Sequence, residues 1–420
     1  MFTNGLTEII FSKRNKVRFH TPGHSGKINK NLINCDVTEL SYTDNLLNPT
    51  TFIKKLEQDL AFVYKTEACF ISTQGATNSI FCAVHAVKKY GAFLIVGNAH
   101  KSVYNALRIN LCKTFHTDNF NVEDIPKEVK NVIITTPNYL GLTFRLEEIY
   151  PSLKSKGINL IVDASHGSHF IFHQDLPVSA TENADLVIHS LHKTLPVVTG
   201  GSLLCCKSVY SDDVYYARKI YHSSSPNFVT ICSIERAFYT LSKKGKALYE
   251  KVKKGVDKFK KSDLGVFKVE KSDDFSRLVI SSCFDGNAVN EYLIEKGFVS
   301  ETVMGAELVF IVTPYNVGSL SKLAYQLRRL TELKAYTEKK LWKETHDKPT
   351  LIEFFDEYEI VDVADAVGRK AFNEIGFYPP GTPYIYSGEI ITQADVDVLS
   401  KEKIALDVFG LENNKVFVVK

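Results

Sequence analysis

Ala184-Asp185-Leu186-Val187-Ile188-His189-Ser190-Leu191-His192-Lys193-Thr194 is the stretch on which the reading of this chain turns, and the glycines Gly200 and Gly201 follow it closely. The apolar, partly β-branched run predicts a buried strand whose carboxyl end carries Lys193. An amine nucleophile must spend time unprotonated, and burial beside other cationic groups lowers a lysine from its ordinary pKa of ~10.4. Lys193 is therefore a candidate for Schiff-base chemistry. Taken alone, the run also suits a lysine that closes a strand by pointing its ammonium into water.

Upstream, Asn159-Leu160-Ile161-Val162-Asp163 predicts a second strand ending in a carboxylate, followed by Ala164-Ser165-His166-Gly167. In an open α/β sheet the carboxyl ends of the strands face the ligand crevice, which brings Asp163 and Lys193 to one place; otherwise Asp163 caps the next helix. Ala68 to Thr73 predicts a third strand, and Gln74-Gly75-Ala76-Thr77-Asn78 a tight turn into a helix over 79–89. Such a turn can seat a phosphate on free amides at the positive end of the helix, or can simply be capped by Thr77 or Asn78. After a fourth strand, Phe93 to Val96, comes Gly97-Asn98-Ala99-His100, whose imidazole either stacks on an aromatic cofactor or faces solvent from a loop. A lysine for an imine and a carboxylate against a pyridine nitrogen are the pair that pyridoxal 5'-phosphate needs.

In this order the four elements resemble the ornithine/lysine/arginine decarboxylases, fold type I pyridoxal phosphate enzymes of the aspartate aminotransferase superfamily. His20-Thr21-Pro22-Gly23-His24-Ser25-Gly26 is similar to that family's opening His-x-Pro-Gly-His segment. Ser223-Ser224-Ser225-Pro226-Asn227-Phe228 is similar to a segment that helps hold the phosphate of the neighbouring subunit's cofactor. Gly368-Arg369-Lys370, the stretch Tyr378 to Pro383 and Gly388-Glu389 look like its C-terminal signature. Departures at Thr199-Gly200-Gly201, Asn227-Phe228 and Ser387-Gly388-Glu389 leave cofactor handling better marked than substrate identity.

The resemblance implies that Lys193 carries the cofactor, Asp163 keeps its ring nitrogen protonated, His100 stacks on the ring and His166 lies near the ring oxygen or the substrate carboxylate. It implies a phosphate held by Gly75, Ala76 and Thr77, with Ser190 and His192 beside it and Ser224 at the phosphate of a neighbouring subunit. The implied reaction is decarboxylation of lysine, arginine or ornithine to a polyamine-type amine and CO2, with Glu389 and Asp44 as candidate partners for the substrate's basic side chain. Alternatives are an aminotransferase, with a clamp among Arg277, Arg328, Arg329 and Arg369, a β-eliminating lyase, or an inactive cofactor-binding partner of a decarboxylase. A homodimer or higher homo-oligomer with shared sites is expected.

Alternating strands (68–73, 92–97, 112–117, 131–136, 159–163, 185–190, 201–206) and helices predict an α/β fold, a mostly parallel seven-stranded sheet covered by helices on both faces. The resemblance makes this an aspartate aminotransferase-like large domain, expected over 46–262, after an N-terminal segment 1–45 and before a smaller α/β C-terminal domain, 263–420, with helices over 287–296 and 319–337. With 44% hydrophobic and 24% charged residues the chain has the composition of a soluble globular protein. A net charge of only +3, with no basic stripe interleaved with aromatics, argues against nucleic acid. No apolar run approaches a membrane span, no secretory segment is evident, and a cytoplasmic protein is expected. The eight cysteines form no Cys-x-x-Cys pair and read as reduced core residues. His166, His169 and His173 cross a Gly-Ser turn rather than sharing a helix face, so no metal site is expected.

Overall fold

The computed structural model describes residues 15–28, 30–40, 42–333, 335–336, 346–378, 382–402 and 407–420. Residues 379–381 of the C-terminal signature and Thr337 of the expected helix lie outside them. The large sheet contains the seven strands read from the sequence. They are β1 (Ala68–Ser72), β2 (Ala92–Val96), β3 (Thr114–Thr117), β4 (Val129–Thr135), β5 (Asn159–Asp163), β6 (Leu186–His189) and β7 (Ser202–Cys206). An eighth, β8 (Thr350–Ile352), is added at one edge, giving the order β8-β3-β2-β4-β5-β6-β7-β1. Three residues with no alternation of their own carry too little pattern to be read as a strand, and pairing with β3 makes them one.

Pairing is parallel from β3 through β2, β4 and β5 to β6, and antiparallel at both flanks. Every residue of β2, β5, β6 and β7 is buried, which is why these strands read as unbroken apolar runs. Along β2 the side chains alternate between two cores. Leu94 and Val96 join the face packed by the long helix Phe228–Lys260, and Phe93 and Ile95 join the face packed by the helices Gly75–Val87 and Lys101–Ile109. Burying each such side chain is worth about 1.5–3 kcal/mol relative to exposure. Among the described residues no helix is long and apolar enough to cross a membrane.

A four-stranded antiparallel sheet follows, with strands Lys268–Val269, Arg277–Ser281, Thr302–Met304 and Glu307–Ile311. Its helix Gly286–Glu295 starts where Asp285 accepts hydrogen bonds from the amides of Asn287 and Ala288. Leu278, Ile280, Leu308 and Phe310 of this sheet share one apolar core with the large sheet. The helix expected over 319–337 is only Leu320–Arg329, because Leu330 leaves helical geometry and buries its side chain. Further on, Val363, Ala371, Ile375, Ile385, Val416 and Val418 form a separate small core.

At the β1 edge, the Arg218 guanidinium donates to the buried Glu57 carboxylate, which also accepts the Ile71 amide at 2.9 Å. Burial pushes the Glu57 carboxyl up in spite of that cation. Removing the guanidinium leaves an uncompensated buried charge. Arg218→Met is expected to cost about 3 kcal/mol in urea unfolding at pH 8, and less at pH 5, where Glu57 can take up a proton. Equal stability of variant and parent at pH 8 would contradict this account.

Candidate functional site

Because β1 is antiparallel to β7, and β7 to β6, β1 runs in the same direction as β6. The carboxyl ends of β1, β2, β4, β5 and β6 therefore share one edge of the sheet. The chain leaves β2 for β3 on one side and returns as β4 on the other, the switch point at which open α/β sheets form their crevice. A cavity of about 370 Å³ lies there. Gly75, Ala76 and Thr77 line it from the end of β1, Asn98 and His100 from β2, and Pro137 to Leu140 from β4. Asp163, Ser165 and His166 follow β5 into it, and Ser190, His192 and Lys193 follow β6. Every cofactor residue of the sequence reading except Ser224 lines this cavity.

At one end, the helix begins at Gly75 rather than at residue 79, with Gln74 at its N-cap. Gly75 adopts φ +77°, a conformation that favours glycine, and its amide donates to the Gly200 carbonyl at 2.7 Å. A side chain on Gly200 would stand 2.9 Å from the Thr73 carbonyl oxygen, so two glycines let the two loops touch. The first-turn amides that follow have no intrahelical partners and sit at the positive end of the dipole, a seat for a phosphate. Ser224 is exposed and outside the cavity, in a loop tied to the same turn by Ser223 N to Gln74 Oε1 at 3.2 Å and Asn227 N to Thr73 Oγ1 at 3.2 Å.

The same cavity is lined by Asp163, 4% exposed, whose Oδ1 accepts both the amide and the hydroxyl of Ser165. Lys193 lines it too, from the short helix Leu191–Thr194, with Nζ 3.0 Å from His166 Nε2. Burial pushes the lysine down from its ordinary value; Asp163 and Glu301 oppose the shift, and Arg277 adds to it. His166 is held well below the ordinary histidine value by burial and by the cations Lys193 and Arg277, and Arg277 Nη2 donates to its Nδ1 at 3.0 Å. His100 accepts the Ser102 amide through Nδ1 at 3.2 Å and so caps the helix Lys101–Ile109. Burial, then Lys193, lowers it to about 4. His192 Nδ1 faces the Gly201 carbonyl at 3.3 Å.

Both candidates for a substrate cation lie outside this chain's cavity and are engaged with other groups. The Asp44 carboxylate accepts the amides of Asn45, Thr50, Thr51 and Ile53 and so ties down the start of the helix Phe52–Val63. Burial opposes ionisation there, but the four amides outweigh it and take Asp44 down to about 2. Glu389 meets His346 Nε2 at 3.0 Å and accepts the Tyr386 amide at 3.1 Å. Neither lines the cavity. Of the four arginines considered as clamps, Arg277 reaches the site, whereas Arg369 donates to Glu359 and to the Val419 carbonyl. His166, His169 and His173 part company, His169 going to Asp274 and Ser276 and His173 to Glu250.

Two residues carry roles that the sequence reading did not assign. Tyr139 packs its ring on His166, centroids 4.6 Å apart, with Lys193 Nζ 5.8 Å from its centre. Its signal was available: Thr136-Pro137-Asn138-Tyr139 follows an apolar strand to the same edge as Asp163. Arg277 opens a strand in the second sheet, and no local pattern says where that strand packs.

A model of the major domain of the Orn/Lys/Arg decarboxylase family matches residues 2–118 and 109–289. An arginine decarboxylase of Bacillus anthracis is 25% identical over 96% of this chain and 93% of its own length. An uncharacterized protein of Bacillus subtilis is 26% identical over 94% of this chain and 92% of its own length. The solved structure of lysine decarboxylase A from Pseudomonas aeruginosa superposes with a TM-score of 0.77 at 16% identity, covering 93% of this chain and 75% of the other.

His24 and His116 are lowered to about 4 as His100 is, burial being the largest cause in each. Their unfolded values lie near ~6.5. Between these limits the unfolded chain binds protons that the folded chain refuses, so this stability is complete above pH ~6.5 and is lost as pH falls towards 4. Urea midpoints measured across that window should fall with acid, with an uptake on unfolding that approaches three protons from these histidines. A flat profile would show that they titrate normally.

Proposed function

The chain belongs to the Orn/Lys/Arg decarboxylase family, and from that premise we propose that it decarboxylates a basic amino acid with pyridoxal phosphate held by Lys193. It is an amino-acid decarboxylase; the residues given roles here, the cofactor's seat and the substrate are our assignments. The observation that carries them is an amine of lowered pKa sharing one cavity with a helix N-terminus and a buried carboxylate. Those three features match the aldehyde, the phosphate and the ring nitrogen of that cofactor, so the residues fit the group.

Lys193 supplies the amine for the aldehyde. The carboxylate of Asp163, fixed by Ser165, would keep a proton on the ring nitrogen. His100 would lie against the cofactor, and the amides after Gly75, with Ser190 and His192, would hold its phosphate. When bound, pyridoxal phosphate supplies an electron-poor ring that takes up the electron pair left on Cα as CO2 departs. Pro137, Leu140 and Met304 make part of the cavity wall apolar, and a carboxylate held there loses charge on leaving as CO2, which favours its loss. Lys193, with His192 as a second candidate, returns the proton to Cα.

Asp163 is the one carboxylate among the described lining residues. A substrate cation therefore needs a partner from outside this lining, and we place it on a second copy of the chain in a homodimer whose Ser224 segment faces the neighbouring phosphate. We assign the cavity to a large domain of residues 46–262, with residues 263–420 contributing Met304 and Thr382 to its lining and Arg277 behind His166.

CO2 release should be assayed with arginine, lysine and ornithine, arginine first because a full-length relative is an arginine decarboxylase. We expect turnover on at least one of them, none for Lys193→Ala, and a fall of about 10²–10³ in kcat for Asp163→Asn, the size of one lost electrostatic contact. Borohydride reduction should tag Lys193. A keto acid product, or a tag on another residue, would overturn the reading.

A further inference from the structure

We propose that Arg277 sets the protonation state of Lys193 through His166, acting as a positioning residue for the reactive amine. The proposal rests on the reading of Lys193 as that amine. A guanidinium has only donors, so the 3.0 Å contact from Arg277 Nη2 requires a lone pair on His166 Nδ1. His166 is 3% exposed beside the Arg277 guanidinium, and burial together with that fixed cation disfavours a second ring proton. Its single hydrogen then sits on Nε2 and points at Lys193 Nζ, 3.0 Å away. An ammonium also has only donors. A hydrogen bond across that contact therefore exists only when Lys193 is a neutral amine that accepts it. Guanidinium, imidazole and amine form a chain of donors running one way.

The surroundings hold the first link in place. Arg277 is 3% exposed, and the backbone of Gly141, at φ +79°, runs so close that a Cβ there would stand 2.8 Å from Arg277 Cβ. Its Nε and Nη1 have no hydrogen-bond partner among the described residues; the buried Asp274 carboxylate attracts the guanidinium through charge, without a hydrogen bond. Of the charged and titratable groups facing Lys193, Asp163 and Glu301 favour the ammonium and Arg277 opposes it, and the imidazoles of His100, His166 and His192 face it too. His100 and His192 lie near His166 as well. Charge alone would let Arg277 act directly on Lys193. The hydrogen-bonded route instead needs the imidazole between them.

Two measurements separate these accounts. In the unmodified full-length chain, nitrogen-15 NMR of histidine, with the His166 signals assigned by their loss in His166→Ala, should show Nε2 protonated and Nδ1 bare near pH 7. A proton on Nδ1, or a doubly protonated ring, overturns the proposal. Acetic anhydride labelling of Lys193, quantified by peptide mass spectrometry from about pH 6 to about pH 11, gives the midpoint of amine reactivity. Arg277→Met should raise that midpoint by about one unit or more. In a His166→Ala background the same change should move it little, whereas an undiminished shift means charge alone and overturns the relay. Borohydride tagging with pyridoxal phosphate is run alongside. A tag elsewhere defeats the functional reading, and a tag on Lys193 with the wrong His166 tautomer defeats the relay only.

Discussion

A lysine amine set half-buried in a crevice is the constraint from which the rest of this site follows. An ammonium in that position has lost part of its hydration, and the protein must either pair it or favour the loss of its proton. Here its hydrogen-bond contact is an imidazole nitrogen at 3.0 Å, and it forms no ion pair with a carboxylate among the described residues. The carboxylates that favour the charged form are engaged otherwise, since Asp163 accepts two hydrogen bonds from Ser165 and Glu301 accepts the Thr21 amide at 2.7 Å. That arrangement favours a neutral amine, whereas a salt bridge would hold it as an ammonium.

Much of this was legible because parallel strands buried on both faces read as uninterrupted apolar runs, and because such a sheet delivers the residue after each strand to one edge. Lys193, Asp163, His166 and His100 each stand just past such a run, so their meeting follows from topology once the strands are known. Arg277 obeys no such rule. It opens a strand of a different sheet, and its distance to His166 depends on how two sheets share one core. Asp44 and Glu389 were hard to read for the opposite reason: a carboxylate in a motif looks the same in sequence whether it meets a ligand or the backbone amides of its own turn, and within this chain both accept such amides. The early helix start at Gly75 was hidden because glycine and glutamine are poor signals for a helix, and the left-handed φ that admits Gly75 comes from contact with Gly200.

The histidines show how little residue type alone decides. His166 works between two cations, His169 is sealed against Asp274 and Ser276, and His173 reaches Glu250 beside the long helix. Spacing made them look like one group. What separates them is the turn and short helix through residues 166–173, which sends successive side chains to the crevice, the shared core and the outer helix.

The lysine's position also depends on parts of the chain far from it. A helix of four residues, Leu191–Thr194, is too short to be stable on its own account. It is held from outside, by the Gly23 amide donating to the His192 carbonyl at 2.7 Å and the Leu191 amide to the Gly201 carbonyl at 3.0 Å. The approach at Gly23 is so close that a Cβ there would stand 2.7 Å from the Thr194 carbonyl carbon. The glycine of the N-terminal His-Thr-Pro-Gly-His segment thus has a steric reason in the opposite end of the site. The same segment is anchored through Thr21 to Glu301, on the second sheet's side, so both ends of the chain's own architecture bear on where one amine can be.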